Sequence, residues 1–89
     1  MEPSLQRVKL KVETSLDIRG LERADGYHRA VAQLREMAED AVLELYLDEG
    51  EPLSTIPFGL RAEGHEILIS EPANNGVRLL VRKRSLLTT

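Results

Sequence analysis

Cysteine is absent from this sequence. The chain therefore forms no disulfide bond, offers no thiolate to a metal ion and carries no sulfur nucleophile. Aromatic residues are scarce, with two Tyr, one Phe and no Trp, so we expect an aliphatic core. No apolar run approaches the length of a membrane-spanning helix or of the apolar region of a signal peptide. A cytoplasmic protein without a membrane segment is therefore the expectation.

An excess of positive charge is also missing, because 12 Lys and Arg stand against 15 Asp and Glu, for a net charge of -3. This balance argues against general nucleic-acid binding, which needs clustered positive charge. The 89 residues are 42% hydrophobic and 30% charged, a composition typical of one small folded domain. No cofactor motif is present, so we expect no cofactor.

The N-terminal part of the chain alternates between apolar and polar residues from Val8 to Ile18. A period of two over this length predicts a half-buried strand, or two strands in one register with a bend near Thr14 and Ser15. Either interpretation puts Val12, Thr14 and Leu16 on one face of the sheet.

A helix is predicted to follow this strand. Gly20 can end the strand because glycine adopts positive φ freely, and Asp25 is suited to cap a helix from Gly26 to about Glu39. Residues 41–48 alternate again and predict a second strand. The positions with helical spacing that predict the buried side of the helix are Tyr27, Ala30, Val31, Leu34, Met37 and Ala38.

A shorter helix is predicted after the second strand. Ser54 or Thr55 would cap it, Pro57 would lie in its first turn, and Gly64 suits the position just past its end. The apolar residues assigned to its core face are Ile56, Phe58 and Leu60.

The C-terminal part predicts a hairpin of residues 65–71 and 77–83. A two-residue turn at Asn75-Gly76 would mix the apolar and polar faces, so a five-residue loop at 72–76 is preferred. The pairs that this loop predicts are Ile69 with Leu79, Ile67 with Val81, Leu68 with Leu80, and Glu66 with Arg82. The whole order is β-α-β-α-β-β, which predicts an α/β two-layer sandwich with a mixed four-stranded sheet and two helices on one face.

Residues 16–29 resemble the opening motif of the TusA/SirA-like sulfur carriers, in which Leu-Asp-x-x-Gly-Leu precedes Cys-Pro-x-Pro. Here Leu16, Asp17, Gly20 and Leu21 match, but the next segment reads Arg-Ala-Asp-Gly over positions 23–26. The persulfide-carrying cysteine of the family falls on Arg23. Arginine stays protonated and is a poor nucleophile, so the resemblance implies the fold of the family without its chemistry.

Later segments extend the resemblance over residues 15–84. They are Glu51-Pro52 after the second strand, Ile56-Pro57-Phe58, Gly64-His65, and the last strand from Gly76 to Lys83. Residues 15–84 are thus assigned to a TusA/SirA-like domain, residues 1–14 to an N-terminal extension that continues into the first strand, and residues 85–89 to a tail.

The resemblance implies a binding or adaptor module with a protein partner in sulfur metabolism, such as a cysteine desulfurase, and leans away from an enzyme. The alternative is a carrier or weak enzyme that binds sulfite, sulfate or phosphate at the start of the first helix. Both interpretations use the same candidate residues, Arg19, Arg23, Asp25, Gly26 and His28. Two solvated arginines in a surface turn would be the simplest explanation of the same residues.

The sheet face without helices is a second candidate surface, for a partner or for a homodimer. Its candidate residues are Tyr46, Leu68, Arg78, Leu80 and Arg82. His28 and His65 lack the spacing of metal ligands, so no metal site is expected. His28 with Asp25 offers an acid–base pair in principle, but no activated nucleophile accompanies it.

Overall fold

A computed structural model describes residues 11–85, and these residues form four strands and two helices. The elements in chain order are β1 (Val12–Asp17), α1 (Arg23–Arg35), β2 (Val42–Leu47), α2 (Glu51–Ala62), β3 (Glu66–Ala73) and β4 (Gly76–Arg82). The predicted order β-α-β-α-β-β is confirmed. The predictions for Val8 to Leu10, for most of the N-terminal extension and for most of the tail lie outside the described residues.

The strands form one mixed sheet in the order β1-β2-β4-β3. β1 and β2 are parallel and are connected through α1, whereas β4 runs antiparallel to both β2 and β3. Alternate residues of β2 and β4 pack with both helices in a single hydrophobic cluster. The fold is therefore the predicted two-layer α/β sandwich, and its core is aliphatic as expected. The largest fully buried side chains are Leu34, Leu43, Leu45, Leu47, Ile56, Leu60, Leu79 and Val81.

Helix α1 begins three residues earlier than predicted and ends at Arg35 instead of near Glu39. Glu22 is its N-cap residue with extended backbone angles, and the Gly26 N–H already donates to the Glu22 carbonyl at 2.9 Å. The prediction of Asp25 as the cap is therefore wrong. Asp25 lies in the first turn instead, where a carboxylate interacts favourably with the helix dipole.

Helix α2 also begins earlier than predicted, at Glu51 after Gly50 with φ 89°. Ser54 and Thr55 do not cap it, because both hydroxyls donate back to the Glu51 carbonyl, at 3.1 and 2.8 Å. Pro57 lies inside the helix and not in its first turn.

The end of α2 agrees with the prediction for Gly64. Gly64 has φ 105° and its N–H donates to the Arg61 carbonyl, while the His65 N–H donates to the Leu60 carbonyl. This pair of bonds is the Schellman arrangement, which favours glycine at that position.

The β3–β4 hairpin closes with a two-residue turn at Asn74-Asn75, since Ala73 pairs with Gly76. The five-residue loop is therefore wrong, as is the rejected Asn75-Gly76 turn. Glu66 and Ile67 do pair with Arg82 and Val81 as predicted, but an irregularity then shifts the register so that Ile69 faces Leu80. Because a bulge shifts the pairing by one residue, the apolar residues of β3 and β4 can share a face of the sheet without a longer loop.

Strand β1 contains a similar shift between Val12 and Thr14. Val12 pairs with Val42 and Thr14 with Leu43, and neighbouring residues of β2 point to opposite faces of the sheet. Val12 and Thr14 therefore lie on opposite faces, which corrects the prediction of one shared face. The register shift lies just before Thr14, one of the two residues near which a bend was predicted.

Candidate functional site

The start of α1 is positioned by the turn that ends β1. Gly20 adopts φ 85° in this turn, and its N–H donates to the Asp48 carboxylate at 2.8 Å. The chain then enters the helix at Arg23, whose side chain is 47% exposed. The Arg23 Nε lies 3.3 Å from Glu51 Oε2, so the starts of the two helices are adjacent.

Arg19 does not contribute to the helix start, although sequence reasoning grouped it there. Its Nε and one terminal nitrogen hold the Asp17 carboxylate at 2.9 and 2.7 Å, and the other terminal nitrogen donates to the Asn74 carbonyl at 2.7 Å. Its guanidinium carbon also lies 5.1 Å from the centre of the Tyr46 ring. Arg19 thus connects β1 to the β3–β4 turn, and its hydrogen bond lowers the pKa of Asp17 to about 2.

Gly26 is a packing residue in the structure. It is buried, and a Cβ there would lie 3.1 Å from the Ile18 Cδ1 atom. Asp25 and His28 are exposed on α1. Of the five predicted residues, Arg23, Asp25 and His28 therefore present exposed side chains at or near the helix start, whereas Arg19 and Gly26 serve the fold.

A small groove lies between the two helices beside Arg23. Its volume is about 150 Å³, and its lining includes Tyr27, Ile56 and Gly59. The Tyr27 hydroxyl donates to the Gly59 carbonyl at 3.3 Å, and burial raises the pKa of Tyr27. A Cβ at Gly59 would come within 2.7 Å of the Tyr27 ring, so glycine permits this close approach.

Phe58 precedes Gly59 in α2 and was wrongly assigned to the core. Its side chain is 72% exposed, and it is the only exposed large hydrophobic residue within positions 11–85. The sequence did contain the signal, because Ile56 and Leu60 are four residues apart and share a helix face. Phe58 lies two residues from each, and a helix turns about 100° per residue, so it must point away from that face.

The second candidate surface, the sheet face without helices, carries a network centred on Glu44. The Glu44 carboxylate accepts hydrogen bonds from Ser15 Oγ at 2.5 Å, Arg78 Nε at 2.6 Å and the Tyr46 hydroxyl at 3.1 Å. Arg78 also reaches Glu71 at 2.6 Å. These bonds, with Ser15 first and Arg78 second, hold the pKa of Glu44 below its usual range. The charges of this face are largely paired with one another.

The predicted pairing of Leu68 with Leu80 on this face is wrong. The shift in β3 places Ile69 opposite Leu80, and Leu80 itself is only 3% exposed. Arg82, at the end of β4, pairs with Glu66 at 3.3 Å. A homodimer through this face stays a prediction, but Leu80 is too buried to contribute to it.

Within the described residues, no group of three His, Asp or Glu side chains is arranged to hold a metal ion. His65 is a hydrogen-bond acceptor instead, because its Nδ1 receives the Arg84 N–H at 3.1 Å. None of the helices over residues 11–85 has the length and apolar character needed to cross a membrane.

Glu44→Gln should lower the free energy of unfolding by about 1–3 kcal/mol at neutral pH, because Arg78 loses the less exposed of its two charged partners, Glu44, which is only 16% exposed. A carboxylate with a lowered folded pKa stabilises the protein above its unfolded pKa, and this contribution disappears as the pH falls through the folded value. The loss of unfolding free energy caused by Glu44→Gln should therefore become smaller as the pH falls from about 5 to about 2. Urea unfolding at several pH values measures it.

Glu49→Gln is the matched control for this variant, because Glu49 is exposed and lies outside the network. It should change the unfolding free energy by less than about 0.5 kcal/mol. Equal effects of the two variants at neutral pH would contradict a special role for Glu44.

The fold and these surfaces define a small two-layer α/β domain with an exposed helix start and an internally paired sheet face. No protein-family model and no curated protein matches the sequence.

Proposed function

We propose that this chain is a binding or adaptor module, a cysteine-less relative of the TusA/SirA-like sulfur carriers. Its partner is an enzyme of sulfur metabolism, such as a cysteine desulfurase, and it docks through the surface formed by the start of α1 and the exposed residues of α2. We call this surface the helix-start surface and define it by Arg23, Tyr27, Thr55, Phe58 and Gly59. The observation that carries the proposal is the exposed apolar side chain of Phe58, on the helix that forms the groove at Arg23 together with α1.

The position of Arg23 supports the family part of the proposal. Arg23 is the first residue of α1 and has an exposed side chain, and a sulfur-accepting thiol needs such a place. The cysteine of the TusA/SirA-like carriers corresponds to this position in the sequence. With arginine there, and without cysteine anywhere in the chain, the module would have no persulfide chemistry of its own.

The composition of the helix-start surface supports the docking part. Protein interfaces are enriched in aromatic residues and arginine, and truncations of such residues are often the costly ones. Phe58 exposes an apolar ring, while Arg23 and Tyr27 add polar groups at the rim of the groove. The sheet face offers less to a partner, because its charges already pair with one another.

The oxyanion alternative has weaker support from the same geometry. It relied on two arginines at the start of α1, but Arg19 is bound to Asp17 and Asn74. Of the two, Arg23 alone stays at the helix start, with Glu22, Asp25 and Glu51 close to it in the chain or in space. An anion there would meet opposing negative charge.

Phe58→Ser should weaken binding to the cysteine desulfurase of the same organism by about tenfold or more, because truncation of an aromatic hot-spot residue of an interface costs about 2 kcal/mol or more. Isothermal titration of the purified proteins measures this change. Arg29→Ser is the control, since Arg29 is exposed on α1 but lines a different surface depression with Leu16 and Gln33. Absence of binding by the unaltered protein, or equal weakening by both variants, would count against the proposed surface.

A further inference from the structure

The residues that follow β4 are fastened to the rest of the domain at two connections. We call Lys83, Arg84 and Ser85 the latch segment. Lys83 exchanges backbone hydrogen bonds with the α1–β2 connection, from the Asp40 N–H to the Lys83 carbonyl and from the Lys83 N–H to the Ala41 carbonyl, both at 2.8 Å. The Lys83 ammonium also donates to the Leu34 and Met37 carbonyls at 2.7 and 2.9 Å. These bonds satisfy carbonyls at the end of α1 and fix Lys83.

The next two residues are held by side chains. The Arg84 N–H donates to the Nδ1 atom of His65, at the start of β3, at 3.1 Å. The Ser85 N–H and hydroxyl both donate to the Glu39 carboxylate at 2.9 Å. The Arg84 side chain is half exposed and lies 3.6–3.8 Å from its nearest carboxylate oxygens. The hydrogen bond to His65 Nδ1 therefore holds the backbone of Arg84 in place.

This bond requires a neutral imidazole. Nδ1 accepts a hydrogen bond only when the ring proton is on Nε2. A second proton would put an N–H on Nδ1, directly opposite the Arg84 N–H, and two donors cannot share that position. The protonated ring would also add positive charge beside Lys83 and Arg84, which strengthens the repulsion.

His65 is the group of the latch that changes charge in mildly acid solution. Burial and Lys83 hold the pKa of His65 below its ordinary value of 6.5. Ser85 likewise holds the pKa of Glu39 below its ordinary value, so that carboxylate remains ionised when His65 titrates. The negative charges of Glu63 and Glu39 partly offset the effect of Lys83 on His65. The other charged groups of this region are the Arg84 guanidinium and the carboxylates of Asp40 and Glu66 that lie near it.

We propose that His65 is the acid-sensitive group of the latch segment, and that its protonation releases the Arg84 N–H while Lys83 stays bound to the end of α1 and Ser85 to Glu39. The folded protein then prefers the unprotonated ring, so acid both loosens the segment at Arg84 and lowers the free energy of unfolding as the pH falls below about 6.5. The release is limited to Arg84, because Glu39 remains ionised in this range and the acceptors of Lys83 are backbone carbonyls, which do not titrate.

A nuclear magnetic resonance titration of the full ¹⁵N-labelled chain from about pH 8 to about pH 4.5 tests this inference. The Arg84 amide shift should follow the same titration curve as the His65 ring protons. The order parameter of the Arg84 amide should fall below about 0.85, the value of a rigid backbone, while those of Lys83 and Ser85 stay high. A His65 ring that titrates while the Arg84 amide shift and order parameter remain constant would overturn the proposal.

Two variants distinguish the effect of protonating His65 from the effect of replacing its ring. His65→Asn retains an acceptor near the position of Nδ1 but does not titrate, so its Arg84 amide should stay ordered over the whole pH range. His65→Leu should leave Arg84 mobile already at neutral pH. Loosening of Arg84 by acid in the asparagine variant would show that another group is responsible. His28→Asn is the control and should leave the Arg84 titration of the unaltered protein in place.

Discussion

Gly76→Ala should lower the free energy of unfolding by about 3–5 kcal/mol, although the substitution adds one methyl group and removes no contact. Gly76 has φ 152°, a region that residues with a side chain rarely adopt. A Cβ there would collide with the backbone carbonyl oxygen of Leu47 and lie 3.0 Å from Arg19 Cδ. Backbone strain of about 1–2 kcal/mol adds to an overpacking cost in the upper part of the usual range, about 2–3 kcal/mol, because the carbonyl belongs to β2 and cannot move freely.

Urea unfolding measures this loss, and Gly20→Ala is the matched control. Gly20 also has positive φ, at 85°, but a Cβ there would meet nothing within 4 Å. Gly20→Ala should lower the free energy of unfolding by only about 1–2 kcal/mol, which is the cost of the backbone strain alone. A domain of this size has a total stability of about 4–13 kcal/mol, so the two variants are readily distinguished. Equal losses would mean that the close approach of β4 to β2 at Gly76 is not tight.

The order of the elements could be predicted from the sequence because each element has a clear hydrophobic period. The ends of the helices could not, because local residue preferences point to more than one start. Asp25 is a better cap by preference than Glu22, and Ser54 is better than Gly50, yet the helices begin at the less favoured residues. Packing of Gly26 against Ile18 and the turn at Gly50 decide both starts, and neither is visible from residue preferences.

The hairpin shows a second limit of pattern reasoning. The alternation of apolar and polar residues along β3 excluded a short turn only on the assumption that β3 pairs regularly with β4. An irregularity between Ile67 and Ile69 removes that assumption, and the turn is then two residues long. The same irregularity changes the sheet face without helices, because Ile69 lies opposite Leu80 in place of the predicted Leu68.

The candidate site was predicted in part. Arg23 lies at an exposed helix start as expected, but closeness in sequence wrongly suggested that Arg19 would join it. Arg19 follows a strand whose end is next to the β3–β4 turn, so it bonds to Asn74, 55 residues later in the chain. Phe58 could have been placed correctly from the spacing of Ile56 and Leu60. The contact of Tyr27 with Gly59 depends on how the two helices pack and was not predictable.

Arg23→Cys should convert the chain into a sulfur acceptor, which would be a change from no loading to nearly complete loading. A thiol at the first position of α1 would lie at the positive end of the helix dipole, and this lowers a thiol pKa and favours the reactive thiolate. The substitution removes only the ion pair of Arg23 with Glu51, in which both side chains are exposed, so the fold should be unaffected. The acquired sulfur would come from the persulfide of the desulfurase and end on the new thiol.

Arg29→Cys is the matched control, because it also places an exposed thiol on α1 but away from the helix-start surface. Alkylation with iodoacetamide shows that each thiol is reactive, and circular dichroism shows that each variant is folded. A thiol that is merely accessible would be loaded equally well at either position, whereas docking at the helix start favours position 23.

The intact mass of Arg23→Cys after incubation with the desulfurase and free cysteine is therefore the decisive test of docking at the helix-start surface. We predict a mass increase of one sulfur atom on Arg23→Cys, reversed by a reducing agent, and little or none on Arg29→Cys. A folded Arg23→Cys with an alkylatable thiol and no added sulfur would contradict the claim that the helix-start surface still recognises a sulfur-transfer enzyme.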